Sequence, residues 1–394
     1  MGSGERKRPL ISAIVPTHNR SALLREALDS VMSVEGQGEL FDLETIVVDD
    51  ASTDDTRDVV ARYPVQYIRN VVNQGLSASR NTGVAVSRSQ YVAFLDDDDL
   101  WLPQRFRAQV AVMESRPDVG LAYSPYVRTL NELQLPSGAT DGPAGDVFKK
   151  LLLTGNFLGV LTVLIRRTAF ERMGGFQGEG IEDYDMWLRL ARYYPFVFVP
   201  GPVALYRESP GGMFLAAVAT GKVRSQFRTI INGALALAPD KSPQFRQQVI
   251  DRMECRNLRD LVSRERPFRN LSDAACVSQI LALLSEYPRL ARFPRERRIL
   301  AWFARTVVLA SPSPFDAART LCDGIERSCG ASMQTRRLIG RIWAELAIGF
   351  FLGGCRSLSR RAVALSLRSD PTQLPARLAR ACGDRVRLLG RGAR

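Results

Sequence analysis

The residues that could most clearly carry out chemistry lie in the run YVAFLDDDDLW at positions 91–101. Four consecutive aspartates there follow five mostly apolar residues. Neighbouring carboxylates repel each other, by about 4 kcal/mol for two unit charges about 4 Å apart at an effective dielectric near 20. The four side chains must therefore face water, take up protons or hold a cation. Because apolar residues flank the run on both sides, the pattern favours a divalent cation with oxygen ligands over plain solvent exposure.

An extended backbone would divide the four aspartates between two directions. Asp96 and Asp98 are two residues apart, so they point to the same side of a strand end. We predict that this pair holds Mg²⁺ or Mn²⁺ together with substrate phosphates, since these ions take one or two carboxylates in such sites. Asp97 and Asp99 are predicted to face the opposite side or to turn into the loop.

Strand and helix patterns alternate through the first hundred residues, which indicates a mostly parallel sheet. Periodicity of the apolar residues predicts strands at 10–16, 43–50, 65–70 and 91–96, and helices at 21–33, 52–63 and 77–87. Further along, 119–127 and 156–167 are predicted as strands, and 181–194 as a helix with Tyr184, Leu188 and Ala191 on its inner face. Ligands of such sheets bind beyond the carboxyl ends of the strands. The first, second and fourth strands end in PTHN, DDAS and DDDD. We therefore expect these three ends to meet at one site.

The turns PTHNR (16–20) and VVDDAST (47–53) could bind a nucleoside. A Pro-Thr turn that leaves a strand exposes backbone groups to a flat base, and an aspartate at a buried edge can accept from the base or from ribose hydroxyls. The alternative interpretation is two ordinary strand-to-helix turns, capped by Asn19 and by Ser52 or Asp54.

Two further segments place polar groups at helix starts. In NQGLSASRNTG (73–83), Gly75 permits close backbone approach, and Arg80 suits a phosphate or a neighbouring carboxylate. In GIEDYDMW a carboxylate at the helix start could serve as a general base, or the acids could simply favour the helix macrodipole. The pattern alone does not choose among Glu182, Asp183 and Asp185.

Five segments, in this order and spacing, resemble glycosyltransferase family 2: VPTHNR, VVDDASTDDT, NQGLSASRNTG, YVAFLDDDDLW and IEDYDMWLRLA. The resemblance covers residues 10–210. It implies an α/β protein with the GT-A fold, a Rossmann-like, mostly parallel sheet flanked by helices. It also implies inverting transfer of a sugar from a nucleotide diphosphate donor with Mg²⁺ or Mn²⁺.

The resemblance also implies roles by position. Asp98 and Asp96 match the metal-binding pair, and Asp183 matches the catalytic base. Either Asp49 or Asp50 matches the acid of the nucleoside-binding turns, and Asp97 is expected to contact the donor sugar or the loop. The residues expected to bind the nucleotide sugar are Pro16, Thr17, Asn19, Arg20, Asp49, Asp50, Gly75, Arg80, Asp96 and Asp97. One departure is the segment YRESPGG, where Glu208 or Ser209 stands in place of a histidine that often completes the family's metal site.

Charge divides the chain into two parts. Through residue 210 there are 22 Lys and Arg against 27 Asp and Glu, whereas beyond it there are 32 against 14. Together with the resemblance, this predicts a flexible N-terminus (1–9), a GT-A domain (10–215) and a basic, mainly α-helical C-terminal domain (216–394). The six cysteines form no CxxC pair and the chain has one histidine, which disfavours a zinc site and favours a reducing compartment.

These observations predict an enzyme that moves a sugar from a nucleotide sugar, with a UDP-sugar favoured, to a hydroxyl of a saccharide or lipid-linked acceptor in cell-surface polysaccharide or glycoconjugate synthesis. The alternative of another class is a non-catalytic GT-A-like scaffold whose basic domain binds nucleic acid or an anionic membrane. Nucleic acid is not expected, because the arginines are spread over many helices. The apolar and basic stretch 345–368 favours peripheral contact with an anionic membrane. A cytoplasmic location at the inner membrane face is therefore predicted.

Overall fold

The computed structural model describes residues 8–130, 133–136, 141–207, 222–262, 281–301, 314–352 and 356–370. These residues form two compact units. The first contains the described residues up to 207 and those from 225 to 242, and the second contains 222–224 and the described residues from 243 onward. The predicted boundary near 215 and most of the predicted flexible N-terminus lie outside the described residues and stay predictions, as does the expected histidine position at 208–209.

Eleven strands are described in the first unit. They are β1 (Leu10–Thr17), β2 (Asp42–Asp49), β3 (Gln66–Arg69), β4 (Tyr91–Phe94), β5 (Leu100–Trp101), β6 (Leu121–Tyr123), β7 (Val127–Leu130), β8 (Leu133–Pro136), β9 (Leu164–Arg166), β10 (Phe196–Phe198) and β11 (Ala204–Arg207). Seven of them form one sheet in the order β10-β6-β9-β4-β1-β2-β3. Only β9 in this sheet is antiparallel to its neighbours, which confirms the predicted mostly parallel sheet.

The described helices up to residue 237 alternate strictly with the strands only as far as β4 and are less regularly placed after it. They are α1 (Ser21–Met32), α2 (Thr56–Val60), α3 (Leu76–Val86), α4 (Arg107–Ser115), α5 (Phe148–Thr154), α6 (Arg167–Arg172), α7 (Glu182–Ala191) and α8 (Lys222–Leu237). Apolar spacing explains which faces are buried, since Leu24, Leu28 and Val31 of α1 are inaccessible to solvent. The residues predicted for the inner face of α7, of which Tyr184 and Leu188 are examples, are likewise buried.

Two predicted elements are shorter than the pattern indicates. The predicted helix 52–63 forms only over Thr56–Val60, because Asp54 accepts hydrogen bonds from the backbone and hydroxyl of Thr56 and so holds a turn ahead of the helix. Where the sequence predicts a strand within 156–167, a 3₁₀ turn at Val160–Thr162 leaves only β9 extended. Apolar composition alone does not distinguish a buried turn from a buried strand.

The second sheet has four strands in the order β5-β11-β7-β8. β5 pairs antiparallel with β11, with Leu100 opposite Leu205 and Trp101 opposite Ala204. Since β5 directly follows the four aspartates, this pairing brings the end of the aspartate run next to Arg207, the last residue of β11.

The described part of the second unit is helical, as predicted. Its longer helices are α9 (Pro243–Val262), α10 (Pro314–Cys329), α11 (Met333–Leu352) and α12 (Arg356–Ser369). Leu346 and Ala347 of α11 and Ala362 of α12 are inaccessible and lie in its core. Much of the apolar stretch that favoured membrane contact is therefore used for internal packing. Among the helices that the structure describes, none is long and apolar enough to cross a membrane.

Candidate active site

Three loops meet at one edge of the large sheet, as expected from the strand ends. β4, β1 and β2 are neighbours in the sheet and run parallel, so the loops after Phe94, Thr17 and Asp49 emerge side by side. The loops after β1 and β2 are tied directly, because the backbone of Asn19 donates to the Ser52 hydroxyl at 2.9 Å and its side-chain oxygen accepts from the Thr53 backbone at 2.7 Å.

The four aspartates form a turn rather than a continuation of β4. The backbone N–H of Asp99 donates to the carbonyl of Asp96 at 3.0 Å, so the expected extended backbone does not persist through the run. The two pairs nevertheless differ in exposure. The side chains of Asp96 and Asp98 are 25% and 23% exposed, whereas Asp97 and Asp99 are buried. The exposure differs between the two pairs, while the predicted shared direction of Asp96 and Asp98 rested on an extended backbone and stays a prediction.

Arg80 lies fully buried between two carboxylates. Its Nη2 is 2.6 and 2.8 Å from the two oxygens of Asp96, and its Nη1 donates to Glu182 at 2.7 Å. Burial alone would lower the pKa of Arg80, but the two carboxylates outweigh it and raise the pKa above its ordinary value. Of the two partners predicted for this arginine, the structure supplies the carboxylates. Its predicted contact with a nucleotide sugar stays a prediction.

Arg20 holds two further aspartates of the run, Asp97 and Asp98. Its Nη1 lies 3.0 Å from Asp97 and 2.9 Å from Asp98, and Thr17 donates its hydroxyl to the second oxygen of Asp97 at 2.8 Å. Burial nevertheless raises the pKa of Asp97 to about 6. The pKa of Asp98 is also raised, first by burial and then by the charge of Asp96.

Asp99 is held from the second sheet. The backbone N–H of Arg207 donates to its carboxylate at 3.0 Å, and the Arg207 guanidinium donates to the carbonyl of Asp98 and to Glu26. Burial and the neighbouring aspartates raise the pKa of Asp99 well above its ordinary value. The sequence did not predict that Arg207 contacts Asp98 and Asp99. The sequence marked Arg207 only by its position just before the expected histidine.

The two acids at the end of β2, Asp49 and Asp50, have different partners. Asp49 accepts from the Ser52 backbone at 2.8 Å and from the Tyr67 hydroxyl at 2.5 Å. Asp50 accepts hydrogen bonds from the Asn70 amide and from two backbone N–H groups of the loop after β3. One of these is the N–H of Gly75, at 2.8 Å. Both acids therefore shape the loops around the predicted nucleoside site, and their direct contact with a nucleoside stays a prediction. Pro16 lies beside them, buried in β1.

Gly75 is where the loop after β3 approaches another segment most closely. Its φ of 89° lies in the left-handed region that favours glycine, and an added Cβ would meet the carboxylate of Glu179 at 1.6 Å. The positive φ favours glycine here, whereas the flexible Glu179 side chain could move away from a larger residue; the predicted approach to a ligand remains open.

The three acids at the start of α7 are distinguished by their partners. Glu182 pairs with Arg80, and Asp185 pairs with Arg189 at 2.7 Å one turn later. Asp183 instead accepts from the neutral amide of Asn156 at 2.8 Å. Burial, followed by the charge of Glu182, raises the pKa of Asp183 to about 7. Asp183 therefore has the properties of a general base that works near neutral pH.

Asn156 is a site residue that sequence reasoning missed. It lies in the loop between α5 and the Val160–Thr162 turn, 27 positions before the acid that it contacts. The only available signal was a single amide at the start of an otherwise apolar run, NFLGVL. Such a signal does not reveal a partner that is brought close only by the fold.

The donor chemistry of the aspartate turn can be compared with that of a metal site. Among the residues that the structure describes, no cluster of three or more His, Cys, Asp and Glu side chains is arranged to hold a metal ion by itself. Asp96 and Asp98 do present partly exposed carboxylates, the ligand type that Mg²⁺ and Mn²⁺ prefer. The turn therefore fits a cation whose other ligands come from substrate phosphates and water.

A cavity of about 730 Å³ borders this region. It lies along α7 and α8, and its lining includes Ile181, Leu188, Ile230 and Glu182. Asp183 is directed to Asn156 instead. The cavity thus reaches the first turn of α7 without enclosing the predicted base.

The chain was compared with proteins of known sequence. An uncharacterized glycosyltransferase of Haemophilus influenzae is 32% identical over 187 residues, which cover 46% of this chain and 62% of the relative, so less than two thirds of that relative is matched. WfgD of Escherichia coli is named a UDP-Glc:alpha-D-GlcNAc-diphosphoundecaprenol beta-1,3-glucosyltransferase. It is 27% identical over 186 residues, covering 46% of this chain and 70% of the relative.

A comparison with solved structures concerns the fold. The crystal structure of S. aureus TarS 1–349 in complex with UDP-GlcNAc has a TM-score of 0.51 and 14% identity, covering 90% of each chain. This likeness, together with the seven-stranded sheet, confirms the predicted GT-A fold class. Residues 12–173 match the family model described as glycosyl transferase family 2. This part of the chain is therefore similar to glycosyl transferase family 2, and it contains four of the five motifs that carry the resemblance.

Proposed function

We propose that the protein is an inverting, metal-dependent glycosyltransferase that moves a sugar from a nucleoside diphosphate sugar to an acceptor hydroxyl. The observation that carries this proposal is the double ion pair of Arg80. It joins Asp96, in the turn suited to a metal and diphosphate, to Glu182, which directly precedes the candidate base Asp183. One buried side chain thus links the two groups that the reaction requires.

The residues divide the reaction between them. Mg²⁺ or Mn²⁺, when held by Asp96 and Asp98, supplies Lewis-acid stabilisation of the departing nucleoside diphosphate. Arg80 keeps Asp96 in place by contacting both of its oxygens. Asp183 takes the proton of the acceptor hydroxyl as that oxygen attacks the anomeric carbon, while the Asn156 amide orients its carboxylate. A single displacement of this kind inverts the anomeric centre.

The donor and acceptor classes are part of the same proposal. The name of WfgD specifies a UDP-sugar donor and a diphosphoundecaprenol-linked acceptor, which supports a UDP-sugar and a saccharide or lipid-linked acceptor here. Teichuronic and colanic acid biosynthesis in other relatives' names supports a place in polysaccharide synthesis. Peripheral contact with an anionic membrane at its cytoplasmic face belongs to this proposal, because a lipid-linked acceptor lies in the bilayer.

The test compares Asp183→Asn with Asp185→Asn. The two substitutions remove equal charges from the first turn of one helix, but Asp185 pairs with Arg189 and not with the proposed reaction centre. Loss of a general base slows a reaction by about 10²- to 10⁴-fold. We expect that loss for Asp183→Asn and near-normal transfer for Asp185→Asn, measured with a panel of radiolabelled UDP-sugars and a lipid-linked saccharide acceptor. Equal rates in the two folded variants would remove Asp183 from the mechanism.

A further inference from the structure

Asp98 and Asp96 differ in the cations that accompany them, although they are equally exposed. Asp96 is bound by Arg80, which is 1% exposed and is locked by a second carboxylate. Asp98 is bound by Arg20, which is 41% exposed. A fixed arginine therefore accompanies one member of the proposed metal pair, and a solvent-accessible arginine accompanies the other.

Arg20 is attached to the turn by one end of its guanidinium. Its Nη1 is shared between Asp97 and Asp98, at 3.0 and 2.9 Å. Ion pairs with exposed partners are weak, because solvent screens them and because the long side chain loses rotamer freedom. The contact to Asp98 is therefore one that a more strongly bound cation can displace.

We propose that Arg20 is a resident cation of the donor site, which holds Asp98 in the metal-free protein, gives up that carboxylate when a divalent cation binds, and then contacts the diphosphate of the donor. This inference rests on the proposed function, since it assigns Asp98 to the metal. Two cations on one carboxylate repel each other, so Arg20 and the metal compete for Asp98. A planar guanidinium also suits a phosphate, to which it can donate two parallel hydrogen bonds.

The position of Arg20 in the fold supports a change of partner. The residue directly precedes α1 and follows Asn19, whose φ of 53° is fixed by its contacts to the loop after β2. The backbone at this point is thus held while the long side chain remains accessible to solvent. A side chain on a fixed backbone can move its charge from a carboxylate to a neighbouring phosphate without rearranging the loop.

The experiment measures binding of Mn²⁺ alone to the full chain by electron paramagnetic resonance, and then binding of UDP at saturating Mn²⁺ by calorimetry. In Arg20→Gln we expect Mn²⁺ to bind about threefold more tightly, the size of an exposed ion pair. We expect UDP to bind about tenfold more weakly, as for loss of a charge-assisted hydrogen bond. Opposite changes in the two affinities would not result from a general loss of structure.

The matched control is Arg69→Gln. Arg69 is 47% exposed, pairs with Asp49 at 3.4 Å, and ends β3 at the same sheet edge. The substitution Arg69→Gln removes the same charge from this sheet edge but does not contact the aspartate turn. The affinity for Mn²⁺ should therefore stay within experimental error of the wild-type value. An equal gain in both variants would indicate a general electrostatic effect and would overturn the role of Arg20.

Asp98→Ala separates this proposal from the proposed function. If Asp98→Ala abolishes Mn²⁺ binding while Arg20→Gln binds Mn²⁺ and UDP like the wild type, the metal site stands and the role of Arg20 is wrong. If Asp98→Ala binds Mn²⁺ as the wild type does, the metal assignment fails and the Arg20 proposal fails with it. Absence of Mn²⁺ binding in both the wild type and Arg20→Gln, with UDP present as well as without it, would overturn both.

Discussion

Among the arginines of the first unit that the structure describes, Arg80 and Arg105 are buried, and they are held in opposite ways. Arg80, at the loop edge of the large sheet, contacts the carboxylates of Asp96 and Glu182. Arg105, in the core beside α4, contacts only uncharged acceptors, the side-chain oxygen of Gln109 and the carbonyl of Val163 at 2.7 Å. It also lies over aromatic rings, with its guanidinium carbon 4.4 Å from the ring centre of Phe106.

The contrast appears in the ionisation of the two side chains. Carboxylates raise the pKa of Arg80, whereas burial without a counter-ion lowers the pKa of Arg105 to about 9. Arg105 therefore resembles a core group that happens to carry a charge and is stabilised by ring faces and dipoles. Arg80 is part of a charge network that connects a strand end to a helix start. The comparison indicates that burial alone does not distinguish the two arginines, whereas the ion pairs of Arg80 to two separate segments do.

The largest expected effect comes from removing the paired charge. Arg80→Met would leave Asp96 and Glu182 without their shared cation, and breaking a buried ion pair from one side costs about 3–5 kcal/mol. We expect a loss of that size in the free energy of unfolding, measured by urea denaturation, together with loss of sugar transfer. Arg80→Lys, which retains the charge but not the geometry, should recover part of the stability. A stability loss below about 1 kcal/mol for Arg80→Met would contradict the coupling described above.

A smaller effect is expected from removing the unpaired charge. Arg105→Met fills similar space and eliminates a costly buried cation, but it leaves the oxygens of Gln109 and Val163 without their donor. Each unsatisfied buried acceptor costs about 1–3 kcal/mol, and relief of the buried charge offsets part of this. We expect a net loss of about 1–2 kcal/mol by the same urea measurement, with sugar transfer retained in the folded fraction. If Arg105→Met destabilised more than Arg80→Met, the distinction between the two regions would be lost.

The same contrast explains what the sequence could predict. Strands such as β1 and β4, and the aspartate run after β4, follow from local patterns of apolar and charged residues. The shared direction of Asp96 and Asp98 was predicted from an extended backbone, whereas the structure forms a turn in which these two are the partly exposed members. The partner of Arg80 was left open between a phosphate and a carboxylate, because Glu182 is 102 positions away and only the fold brings it close.

The choice among the acids of α7 was limited in the same way. Charge and spacing are almost identical at Glu182, Asp183 and Asp185, and the family resemblance alone favoured Asp183. The structure separates them by their partners, two arginines and one neutral amide, which come from other segments or from the next helical turn. Contacts with distant segments distinguish Glu182 and Asp183, and no local pattern encodes them, whereas the Asp185–Arg189 pair is local to the helix.

The last prediction uses pH to compare Arg80, which pairs with two carboxylates of the proposed reaction centre, with Arg105, which lies in the core. Burial raises the pKa of Asp183 to about 7, and the charge of Arg80 is one of the influences that restrain this rise. A base acts only when deprotonated, so the transfer rate should fall about tenfold for each pH unit below 7 and level off above it. Initial rates at saturating donor and constant ionic strength, between pH 5.5 and 8.5, would measure this limb.

Arg105→Met should keep the midpoint and Arg80→Lys should keep it nearly so, whereas Arg80→Gln should move it upward because the restraining charge is gone. A midpoint that does not move in Arg80→Gln would show that Arg80 affects Asp183 only through the structure and not through its charge.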